Sequence, residues 1–98
     1  MRKLLVGLVI AGLTIPSVFA AQGSVDMARI TCADYLAMSP TDSAVFSAWM
    51  SGWFNQKKGY VWIDVNAYTR NVASVKAWCT ANPTQTVMAG LERSTAGQ

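Results

Sequence analysis

Apolar residues recur along this chain at helical spacing, interrupted by short polar turns. Residues 4–15 form a nearly unbroken apolar run behind Arg2-Lys3, and Pro16 ends it. Further on, Cys32, Tyr35 and Leu36 follow the i, i+3, i+4 rule and predict a short helix over residues 28–38. Ser39-Pro40-Thr41-Asp42 then reads as a helix start, with a Ser cap, Pro at the first helical position and a carboxylate at the third. The helix it opens carries Val45, Phe46, Trp49, Met50, Trp53 and Phe54 on two adjacent i, i+4 rows, which predicts one broad apolar face. Gly52 weakens that helix by roughly 1 kcal/mol relative to Ala and offers room for a close neighbour.

Residues 55–60 are polar and predict a turn, and Val61-Trp62-Ile63 is too short to assign beyond an extended segment or loop. Asp64 is placed to cap a helix over residues 65–80, with Val65, Tyr68, Val72, Val75 and Cys79 on one face. Asn82-Pro83-Thr84-Gln85 repeats the cap-and-proline pattern, predicting a last short helix with Val87, Met88 and Leu91 inward and a frayed tail after Arg93. The expected fold class is all-α: a small single-domain bundle of about four helices.

The 98 residues allow one domain. The positive start, the apolar run and Val18-Phe19-Ala20 together predict a signal peptide over residues 1–20, cut after Ala20, with residues 21–98 as the exported helical domain. A membrane span needs roughly 20 apolar residues, and no later segment supplies them, so no membrane attachment is expected once the signal is removed. Export also gives Cys32 and Cys79 a meaning. Two cysteines in an oxidising compartment predict one disulfide, closing a loop from residue 32 to residue 79. Two free thiols or an intermolecular bridge are the alternatives.

The formal charge of +3 overstates the basicity of the exported part. Beyond Arg2 and Lys3 the basic residues are Arg29, Lys57, Lys58, Arg70, Lys76 and Arg93, against Asp26, Asp34, Asp42, Asp64 and Glu92, a net of +1. Nucleic acid is not an expected partner on that balance. There is no histidine, so histidine-based nucleophilic triads are excluded. No glycine-rich phosphate loop and no CxxC occurs, and no metal or cofactor is expected. The carboxylates lie mostly at helix starts rather than as an opposed catalytic pair, and an enzyme is not expected. What stands out is aromatic content: four tryptophans, among them Trp49 and Trp53 on one helical row, in a chain too small to hide them all.

Three stretches carry a resemblance: Thr31-Cys32-Ala33-Asp34-Tyr35-Leu36, the run Trp49-Met50-Ser51-Gly52-Trp53-Phe54, and Cys79-Thr80-Ala81-Asn82-Pro83 closing the long loop. With the signal peptide, they resemble the HdeA/HdeB family of periplasmic acid-stress chaperones over nearly the whole exported chain. The resemblance implies a helical bundle stapled by Cys32–Cys79, a homodimer near neutral pH, and opening or dissociation in acid. The opened form would hold unfolded or acid-damaged periplasmic proteins without ATP or cofactor. Client or dimer contacts are then expected at Val45, Phe46, Trp49 and Trp53.

Without histidine, a proton switch falls to carboxylates, with Asp34, Asp42 and Asp64 as the pH-responsive candidates. Carboxylates take up protons around pH 4. The stability they lend as helix caps is present above that range and is lost as the pH falls through it. Full protonation takes the net charge from +1 to +6, which favours separation of a symmetric dimer and predicts activation below about pH 4.5. The competing expectation is a constitutive envelope module, or an inhibitor, that binds one specific partner.

Overall fold

The computed structural model describes residues 23–96, and the expected signal peptide with its cleavage point lies outside them. The chain opens with a single 3-10 turn, Met27–Arg29, whose preceding Asp26 accepts the Ala28 N–H at 3.0 Å. Helix α1 is only Cys32–Leu36. The one helix expected over residues 28–38 is therefore broken at Ile30-Thr31, and the cause is local hydrogen bonding. Thr31 Oγ1 accepts the Asp34 N–H at 3.0 Å, and the Asp34 carboxylate accepts the Thr31 N–H at 3.1 Å. This reciprocal capping box starts a new helix rather than continuing an old one. Cys32 and Tyr35 turn inward as expected, whereas Leu36 turns out, 40% exposed.

Helix α2, Pro40–Lys58, begins where the Ser-Pro signal placed it, with Ser39 Oγ accepting the Asp42 N–H at 3.1 Å. It absorbs most of the expected turn over residues 55–60. Gln and Lys are good helix formers, and two lysines in the last turn complement the helix dipole. Gly59, at φ 79°, ends the helix in the left-handed conformation that glycine adopts without penalty. The Gly59 N–H donates to Gln56 O at 3.1 Å and the Tyr60 N–H to Asn55 O at 2.8 Å, a Schellman closure. After an exposed loop, Asp64 accepts the Ala67 N–H at 3.0 Å and opens helix α3, Val65–Ala81.

The second Asn-Pro signal does not start a helix. Asn82 instead closes α3, its side-chain amide donating to Trp78 O at 2.8 Å, and Asn82-Pro83-Thr84-Gln85 makes a turn closed by Gln85 N–H to Asn82 O at 3.1 Å. Helix α4, Val87–Ser94, starts later, capped by Thr86, which accepts the Ala89 N–H at 3.1 Å. The turn has another task. Pro83 O and Gln85 O accept the N–H groups of Ala33 and Cys32 at 3.0 and 2.8 Å, and Ile30 O accepts the Val87 N–H at 2.9 Å. The first turn of α1 is thus satisfied by a segment fifty residues away in sequence. The tail does not fray at once after Arg93: Thr95 is buried, and its hydroxyl donates to Leu91 O.

The core is Ile30, Cys32, Tyr35, Phe46, Met50, Val75, Cys79, Val87 and Leu91. Val75 and Cys79 hold the buried end of the α3 face; Tyr68 and Val72 are half-buried, and Val65, expected on that face, is 66% exposed. The architecture is a small all-α globule with one disulfide, and its backbones are not equally close. The 3-10 turn, α1, α3 and α4 pack on one another, whereas the backbone of α2 stands off from the rest.

Candidate functional site

The stapled half comes first. Cys32 and Cys79 are bonded, with Cα atoms 4.9 Å apart and both side chains inaccessible to solvent. Helix α4 lies on this bridge at Gly90. A methyl group there would meet Trp78 Cε3 at 3.0 Å and Cys79 Sγ at 3.3 Å, so any larger residue requires its neighbours to give by a few tenths of an ångström. The room that Gly52 offers is not used by any of the described residues, since none lies within 4 Å of that position.

Helix α2 is attached by side chains. Phe46 and Met50 plug into the core, 2% and 3% exposed. Tyr35 Oη and Ser47 Oγ share a buried hydrogen bond of 2.5 Å, tying α1 to α2. At the far end the Lys57 ammonium lies 3.5 Å from the Glu92 carboxylate on α4. Between these attachments a cavity of about 200 Å³ separates α2 from α3 and α4, lined mainly by Met50, Phe54, Trp62, Tyr68, Val72 and Leu91. Toward the start of the same face, Ser43 Oγ is buried with no hydrogen-bond partner among the described residues. A void and an orphan hydroxyl on one face leave α2 incompletely packed against its neighbours.

The broad apolar face expected on α2 is divided between two environments. One i, i+4 row, Phe46 and Met50, is core. The next, Val45, Trp49, Trp53 and Lys57, is surface. Val45 is 53% and Trp49 47% exposed, and Trp53 is half-buried. The Trp49 and Trp53 rings stack with centroids 6.5 Å apart, and the Lys57 ammonium sits 4.3 Å from the centre of the Trp53 ring. Of the four expected contact residues, then, Val45, Trp49 and Trp53 share one stripe, and Phe46 lies directly beneath it.

The three candidate pH-responsive carboxylates sit apart, each at a helix start. Asp34 and Asp64 accept backbone N–H groups of α1 and α3 as described. Asp42 enters the α2 cap through its own backbone N–H rather than its carboxylate. Glu92, paired with Lys57, acts between two helices, a partnership that an i, i+4 scan along one helix has no way to see. No group of three or more potential metal ligands is assembled among the described residues, and no helix there is long and apolar enough to cross a membrane.

The remaining decision is between a generic stapled bundle and a defined family. The HdeA/HdeB family model matches residues 3–89, nearly the full length of the chain. The chain belongs to the HdeA/HdeB family. This is a family of periplasmic acid-stress chaperones, not of enzymes. Searches of curated proteins and of solved structures returned no match. This member of the HdeA/HdeB family has exposed apolar side chains on α2 and two carboxylates, Asp34 and Asp64, that accept backbone N–H groups at helix starts.

Proposed function

We propose that this protein is an ATP-independent periplasmic chaperone for acid stress, exported by residues 1–20 and dimeric near neutral pH. In acid it opens or dissociates and holds unfolded periplasmic proteins against apolar surface. The observation that carries this reading is the seating of α2, a long helix with one apolar row exposed and the next buried, fastened by side chains alone.

Helix α2 is the element that opens. Protonation removes the Lys57–Glu92 attraction and weakens the acceptors at Asp34 and Asp64. The exposed pair contributes only about 0–1 kcal/mol, and a cap that keeps a neutral acceptor gives up a few tenths of its roughly 1 kcal/mol. The sum matters because so small a domain has a total stability of about 5 kcal/mol. The rise from +1 to +6 adds repulsion between protomers. A displaced α2 bares Phe46, Met50 and Phe54 and the walls of the cavity, which joins them to Val45, Trp49 and Trp53. Burial of apolar area is non-directional, so such a surface takes many clients. The Cys32–Cys79 bridge meanwhile holds α1 to α3, and the positive charge keeps complexes in solution.

Light scattering of an acid-labile client from pH 7 to pH 2 tests this. Protection that appears below about pH 4.5 supports the reading. A transition centred near pH 6.5, or no protection at any pH, rejects it.

One observation favours a second reading: the Trp49–Trp53 stack is already exposed in the folded chain. A constitutive module that binds one envelope protein would use it without acid. Such a module captures a single partner at pH 7, whereas the chaperone captures many proteins, and only in acid.

A further inference from the structure

Among the described residues, the most exposed apolar side chains are not on α2 but at the tip of the α2–α3 hairpin. Tyr60, Val61, Trp62 and Ile63 are consecutive, with 36%, 98%, 61% and 55% of their surfaces open, and Val65 follows at 66%. The tip is an ordered projection. Gly59 closes one helix before it and Asp64 caps the other after it, while the Tyr60 and Trp62 rings stack with centroids 4.8 Å apart. Behind it lie basic residues. Lys57 and Lys58 occupy the last turn of α2, and Arg70 follows in the second turn of α3, whereas Lys76 lies farther off, over the Tyr35 ring. From residue 43 to residue 91 the single carboxylate is Asp64, and it is turned to the Ala67 N–H. Glu92, beside Lys57, is the acidic neighbour from α4. The ammonium groups of both lysines lie over aromatic rings of α2, Lys57 Nζ 4.3 Å from the centre of Trp53 and Lys58 Nζ 5.5 Å from that of Phe54.

We infer that residues 60–63 form a membrane-surface anchor that seats in the interface of a bilayer containing anionic phospholipid. Tryptophan and tyrosine settle at headgroup depth, with an apolar body and a polar tip. Val61 and Ile63 reach the acyl boundary, and the lysines keep their ammonium groups among the phosphates while their stems follow the apolar surface. The loop rests on the interface and does not span it. A second protein copy fits this tip less well. A stable protein interface needs about 800 Å² from each partner, more than one hairpin turn supplies, whereas interfacial insertion needs only a few apolar side chains and complementary charge. Because the tip is pre-ordered, little conformational entropy is lost on insertion. This departs from the expectation that the exported chain makes no membrane attachment, and it is independent of the chaperone reading.

The test uses the disulfide-bonded protein, purified as the cell processes it, at pH 7 and with no client present. Vesicles of phosphatidylethanolamine with phosphatidylglycerol are compared with vesicles of phosphatidylcholine, by co-sedimentation and by quenching of tryptophan fluorescence with brominated lipid. Binding to the anionic vesicles, weakened by salt, with quenching of fluorescence, is expected. Val61→Asp lowers that binding roughly tenfold with an unchanged circular dichroism spectrum, since Val61 touches almost nothing in the fold. Lys58→Gln lowers it about fivefold, and only on anionic vesicles. Trp62→Ser removes most of the quenching and Trp49→Ser leaves it. Equal binding of Val61→Asp and the parent overturns the inference, as does quenching lost with Trp49 rather than Trp62. A dimer at pH 7 that Val61→Asp dissociates would assign the tip to a second copy and overturn it equally.

Discussion

The same substitution at two glycines in this protein is expected to act with opposite sign. Gly52 and Gly90 both lie inside helices. Replacement by alanine improves helix propensity by about 1 kcal/mol at either site, in part by reducing the freedom of the unfolded chain. At Gly52 the new methyl group meets nothing within 4 Å, so Gly52→Ala is stabilising by about that amount. At Gly90 it meets Trp78 Cε3 at 3.0 Å and Cys79 Sγ at 3.3 Å. The sulfur is bridged and fully enclosed and cannot retreat, so the ring of Trp78 and the whole of α4 have to shift. Overpacking of this kind costs about 1–3 kcal/mol, which outweighs the propensity gain and leaves Gly90→Ala net destabilising by about 1 kcal/mol. In a domain this small each kcal/mol moves the melting temperature by about 4–8 °C. The two variants therefore separate by roughly 2 kcal/mol, and because propensity is common to both, the difference isolates the α4–α3 contact. Thermal and urea unfolding of the oxidised proteins, followed by far-UV circular dichroism at pH 7, measures it. If Gly90→Ala raises the midpoint as much as Gly52→Ala, the close seating of α4 on the disulfide is wrong.

Replacing both cysteines, Cys32→Ser with Cys79→Ser, removes a link of sequence separation 47 and costs about 4 kcal/mol in the chain-entropy account; the midpoint in urea should collapse toward zero, as it should for the parent protein under reductant. Tyr35→Phe leaves the Ser47 hydroxyl buried without its partner and costs about 1–3 kcal/mol, while the double variant Tyr35→Phe/Ser47→Ala recovers part of that loss in a double-mutant cycle. Asp64→Ala deletes the cap of α3 and lowers stability at pH 7 by about 1 kcal/mol, whereas Asp64→Asn keeps an acceptor and changes it by only a few tenths; comparable losses in both would show that charge, not capping, is what Asp64 supplies. Hydrogen exchange at pH 3 should release the amides of α2 before those of α3, and release in the reverse order would contradict α2 as the element that opens.

How much was legible beforehand depends on whether the signal was local. The Ser39-Pro40 start of α2, the Asp64 cap of α3, the all-helical class and the Cys32–Cys79 link all follow from neighbouring residues or from a pair with one possible connection. The family motif around Thr31-Cys32 was equally visible. The misplacements arose where a local signal lost to a competing set of hydrogen bonds, distant in one case and nearby in the other. Asn82-Pro83 reads as a helix start, but a turn there presents Pro83 O and Gln85 O to the open N–H groups of α1. Thr31 could have sat inside a helix, but with Asp34 it makes a better beginning than a middle.

Of the candidate contact residues, periodicity placed Val45, Phe46, Trp49 and Trp53 on one side of α2 and could go no further. Their separation into a buried row and an exposed one depends on where α1, α3 and α4 stand, information that no spacing within α2 contains. Gly90 and Glu92 acquire their roles from α3 and α2 respectively, across space. Hydrogen bonds within a few residues determine where most helices begin and end, so the chain alone indicated most of the elements, the staple and the kinship. Burial is a property of neighbours brought together from distant positions, so only the tertiary structure decided which aromatic residues form the core and which remain exposed for contact.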